Sequence, residues 1–62
     1  MLTKKKKRIA KLLADNWLLV VKTSDSLDAI SEVSANTAKL AHEIGGIELS
    51  NLVYQLYDER AE

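Results

Sequence analysis

The chain contains no proline, and its only two glycines stand side by side at positions 45 and 46. Glycine and proline punctuate a chain most strongly, so a sheet of many tight turns lacks the residues to make them. Helices are what remains. A chain of 62 residues is one domain at most, and it buries only about 60% of the surface its unfolded form exposes. Its hydrophobic fraction of 47% is enough for a core and too high for a disordered chain. The expected fold is all-α, a single helical domain over residues 1–62.

Periodicity divides that domain into three helices. At about 100° per residue, Ile9, Leu12, Leu13, Trp17, Leu19, Val20 and Val21 share a broad apolar arc. Lys4, Lys7, Arg8, Lys11, Asp15 and Lys22 lie opposite, while Asn16 falls inside the arc and Leu18 on the polar side. Like charges at i,i+4 repel, and the cluster opposes the positive end of the helix dipole. Residues 1–7 are therefore expected to fray as a basic tail, with firm helix from about Arg8 to Val21 or Lys22. Ser24 or Asp25 is placed to cap a second helix that begins at Leu27. Its positions Ile30, Val33, Thr37, Leu40 and Ile44 have the alternating spacing of a paired-helix seam, and Gly45 follows as a left-handed cap. A third helix over residues 48–60 gathers Leu49, Leu52, Val53, Leu56 and Tyr57 on one side.

The architecture read from this pattern is a helical hairpin plus a short third helix. The apolar faces of the first two helices exceed what one short copy can cover while offsetting its conformational entropy. A homodimeric helical bundle is the expected completion. Its oligomer interface is assigned to Leu12, Leu19, Ile30, Val33, Thr37, Leu40 and Ile44.

Charge is balanced overall, nine basic residues against nine acidic, so there is no global pull toward nucleic acid. Along the chain it is sharply divided. Residues 1–22 carry seven basic residues and Asp15 alone, a net of +6, and residues 23–62 carry the opposing −6. The basic patch Lys4, Lys5, Lys6, Lys7, Arg8 and Lys11 suits either packing beside acidic helices of its own chain or of a second copy, with the charges setting orientation, or contact with phosphate or an acidic partner.

Several classes of chemistry are poorly supplied. With no cysteine, disulfides, thiolate metal sites and thiol catalysis are ruled out. His42 is the one histidine, and it stands on the polar face of the second helix beside Glu43, not at the i,i+3 or i,i+4 spacing of helical metal sites. Asp25 and Asp28 are explained by capping. No catalytic, cofactor-binding or metal-binding residue is assigned, and the chain is read as no enzyme. The longest apolar run, Trp17 to Val21, is far short of the roughly 20 residues a transmembrane helix needs. No export signal is read either, and a cytoplasmic location is the default expectation.

The segment TAKLAHEIG (37–45) followed by IELSNLVYQL resembles the helix-turn-helix of bacterial regulators. Leu40, Ala41, Ile44 and Gly45 match its apolar, small, apolar and turn-glycine positions. The resemblance covers residues 37–56 and implies a DNA-binding transcriptional regulator. The would-be recognition helix, however, carries Glu48, Asp58, Glu59 and Glu62 against Arg60 alone, where a phosphate-lined groove favours basic residues. The leading expectation is therefore a small non-enzymatic regulatory or adaptor protein, of the type that phages, plasmids and bacteria use. It would associate with itself and with a larger protein target, nucleic acid being the less favoured partner. Leu18, Tyr54 and Tyr57, which the seam does not explain, are the expected partner-binding residues.

Overall fold

The computed structural model describes residues 2–61. Met1, part of the expected basic tail, and Glu62 lie outside them. The described residues form two helices, α1 (Lys4–Thr23) and α2 (Leu27–Ala61), which pack against each other. The protein is all-helical.

α1 begins four residues before the expected Arg8, and the cause is a cap. The Thr3 hydroxyl accepts a hydrogen bond from the Lys6 backbone N–H at 3.1 Å, satisfying one of the donors a helix start leaves open. At the other end, the Ser24 N–H donates to the Val20 carbonyl and the Thr23 hydroxyl to the Leu19 carbonyl. The chain then turns through Ser24–Asp25–Ser26. The sequence places Ser24 or Asp25 at the cap of α2, but neither takes it. Ser26 does, its Oγ accepting from the Ala29 N–H at 3.3 Å, while Ser24 Oγ accepts from Ser26 N–H and tightens the turn.

α2 is not straight. Gly46 sits at φ 70°, ψ −161°, a region of backbone space that is essentially open to glycine alone. The left-handed residue is thus Gly46, not Gly45 as the sequence reading placed it. Gly45 is required for a different reason. A Cβ there would lie 2.6 Å from the Leu49 Cβ, closer than two carbons can approach. One glycine supplies the bend and its neighbour the room. The expected third helix is accordingly the distal arm of α2, beyond Gly46, continuous with the proximal arm (27–45) except at that residue.

Three helical stretches converge on a thin core. It consists of Ala10, Ala14 and Trp17 from α1, Ala41 from the proximal arm, and Leu49 and Val53 from the distal arm. Thr37 and Ser50 are buried beside them. The line Ala10–Ala14–Trp17–Val21 follows helical spacing, and its two alanines let α2 come close. This line lies to one side of the apolar arc read from the sequence. The arc was wider than the chain's own core requires, and its other edge, Leu12 and Leu19, is exposed.

Candidate functional site

The wide faces of the hairpin meet in an open groove. Leu13 and Asn16 of α1 form one wall, and Ala29, Glu32, Val33, Asn36, Thr37 and Leu40 of the proximal arm form the other. The space between them is about 380 Å³. Apolar side chains left in solvent flank it: Leu12 is 63% exposed, Leu19 61% and Leu40 46%. Asn16 and Asn36, both exposed, face the same groove.

The seven residues expected at an oligomer interface divide accordingly. Leu12, Leu19, Leu40 and Ile44 are exposed, and Ile30 and Val33 are half-buried. Thr37 is the exception. It is buried beside the chain's own core, although it also lines the groove. In total, seven large hydrophobic side chains among the described residues are exposed, while Trp17, Leu49 and Val53 are the large ones that are buried. A compact monomer of 6.9 kDa exposes about 4,000 Å². This chain exposes 4521 Å².

On the opposite side, Trp17 joins all three stretches. Its ring stacks on Tyr57 at a centroid distance of 3.8 Å and meets Tyr54 edge-on at 5.4 Å. Its Nε1–H donates to Ser34 Oγ at 2.8 Å, and the Ser34 hydroxyl in turn donates a hydrogen bond to the Ile30 carbonyl. A buried indole N–H needs such a partner. Tyr57 is therefore half-buried against the tryptophan, and Tyr54, though exposed, keeps one face of contact with it. Leu18 is half-buried. Of the three residues expected to bind a partner, Tyr54 alone is exposed.

The basic patch splits by helical angle. Lys4, Lys7, Arg8 and Lys11 form one stripe around a shallow surface hollow, whereas Lys5 points away from it and Lys6 is half-buried. The distal arm adds one cation, Arg60, which pairs with Asp15 and donates to the Lys11 carbonyl. That contact spans 45 positions of sequence and no local pattern announces it. It occupies the one basic side chain of the arm that the helix-turn-helix resemblance would send into a groove. The exposed side of that arm also carries Glu48, Asn51, Gln55, Asp58 and Glu59.

His42 is exposed, and among the described residues no cluster of histidine and carboxylate groups is arranged around a common point. Among these residues no helix is long and apolar enough to cross a membrane. What the arrangement offers chemically is surface: an open groove of apolar side chains with two facing amides and the Glu32 carboxylate, and a separate basic stripe. No protein-family model, curated protein or solved structure matches this chain.

Proposed function

We propose that this chain is a small non-enzymatic regulatory or adaptor protein that acts by self-association and by binding a larger protein. The observation that supports the reading is the uncovered edge of the hairpin, where Leu12, Leu19, Leu40 and Ile44 stand in solvent. Burying a side chain of this kind completely is worth about 1.5–3 kcal/mol, and contiguous apolar surface on so small a protein marks an interaction face. A folded chain that leaves large apolar side chains in solvent stabilises itself by covering them.

The acidic exposed side of the distal arm and the engagement of Arg60 by Asp15 speak against groove reading by that arm. The discriminating experiment is duplex binding across a salt series, combined with hydrodynamic sizing of the free protein. The account expects a self-associated protein that shows no salt-sensitive retardation of duplexes near physiological ionic strength. Retardation of one specific sequence, abolished by alanine at Asn51 and Gln55, would replace the proposal with the DNA-binding reading.

A further inference from the structure

We propose that the occupant of the hairpin groove is a second copy of this chain, seated so that α1 of each copy lies on the proximal arm of the other. This rests on the self-association proposed above and specifies its geometry. The Trp17–Ser34 hydrogen bond fixes which residues of the antiparallel pair stand at one level. Counting outward from it, Asn16 is level with Asn36, Leu12 with Leu40 and Leu19 with Val33, each within about one residue's rise of 1.5 Å. Asn16, Asn36, Val33 and Leu40 line the groove itself, and Leu12 and Leu19 flank it.

Two isologous dimers can cover this face. With the two-fold axis running along the helices, each α1 meets the partner copy's proximal arm and levels are preserved. With the axis across the helices, α1 meets α1 and the proximal arm meets its own counterpart. Charge decides between them. The second arrangement juxtaposes two segments of +6, and then two proximal arms that each carry Asp28, Glu32 and Glu43 against Lys39, a net of −2. The first sets each basic helix against an acidic one, with Arg8 at the level of Glu43 on the rim. Surface charge of this kind selects orientation more than it adds affinity.

The facing amides have a role in the same arrangement. At the mid-level of the seam, Asn16 of one copy meets Asn36 of the other, and a side-chain amide can both donate and accept. Leu12 on Leu40 and Leu19 on Val33 flank the amides, with the Glu32 carboxylate beside Val33 on the groove wall. An amide pair between apolar contacts penalises a shift of register, because a slipped amide faces an apolar residue. This gives an account of why the sequence places an asparagine in the middle of its apolar arc.

Disulfide trapping tests the arrangement, and the absence of cysteine from the chain makes single-cysteine variants clean. Leu12→Cys and Leu40→Cys would be purified separately, checked for unchanged helicity, and oxidised alone and as an equimolar mixture. The expected result is a cross-linked species of twice the 6.9 kDa chain mass in the mixture, and little in either variant alone. Efficient trapping of Leu12→Cys with itself, and no gain on mixing, would overturn this seating while leaving self-association intact. A wild-type protein that sediments as a monomer at the concentrations used would overturn the seating and the self-association together. Oxidation of Asn16→Cys mixed with Asn36→Cys gives an independent reading at the centre of the seam, with the same expected pattern.

Discussion

Replacing Gly46 by alanine isolates the backbone conformation that shapes the molecule. At φ 70°, ψ −161° an L-residue is held in a region that costs on the order of 1–3 kcal/mol. No atom lies within 4 Å of the position an added Cβ would take, so the cost is conformational and not a clash. A domain of this length is stabilised by only about 3–9 kcal/mol, and each kcal/mol moves the melting temperature of so small a domain by about 4–8 °C. Gly46→Ala should thus lower the midpoint by roughly 10 °C, read by far-ultraviolet circular dichroism. The same position built by chemical synthesis with D-alanine provides the control. A positive φ suits that handedness, and a restricted unfolded chain should then offset the loss or raise stability by about 0.4–1 kcal/mol. Equal melting of the L-alanine variant and the parent would refute the reasoning. It would mean that α2 runs straight through position 46, and Trp17 fluorescence would then lose the signature of stacking on Tyr57.

Other perturbations have smaller or more local effects. Trp17→Phe removes the hydrogen bond to Ser34 and shrinks the ring stacked on Tyr57, each worth about 0.5–1.5 kcal/mol; thermal melts should show a loss near 2 kcal/mol. Asp15→Asn and Arg60→Ala break a pair whose members are 60% and 32% exposed, so a double-mutant cycle should give a coupling of about 1 kcal/mol or less that fades with salt. Changing Lys4, Lys5, Lys6 and Lys7 together to glutamine should move stability by no more than about 0.5 kcal/mol. A large loss there would place the cluster in a structural charge network.

What could be read from the sequence follows from which signals are local. The helical class, the hairpin turn after Thr23 and the break at the glycine pair rest on residue types within a few positions of each other. The finer assignments failed where two neighbours compete for one role. Ser26 takes the cap from Ser24 and Asp25 because its hydroxyl reaches the Ala29 N–H. Gly46 takes the bend from Gly45 because Gly45 must leave room for Leu49. The core line on α1 was obscured for another reason. Ala10 and Ala14 contribute little to an apolar arc, yet they are fully buried, because small side chains are what close packing of the helices requires. Leu12 and Leu19 dominated the arc and lie outside the chain's own core. The Asp15–Arg60 pair and the seat of Trp17 on Tyr57 depend on the angle set at Gly46, which no periodicity encodes. The groove was legible only as an excess: too much apolar surface on two helices for one copy to cover.

That excess is the centre of the account, and sedimentation equilibrium measures it most directly. At micromolar concentration the protein should sediment at twice the 6.9 kDa chain mass. Leu40, nearly half exposed in the single chain, provides the paired test: Leu40→Glu buries a charge only if a second copy covers it. That variant should sediment at the chain mass while keeping its helical signal. A wild-type chain that sediments at 6.9 kDa across the accessible concentration range, and melts cooperatively, would contradict the account.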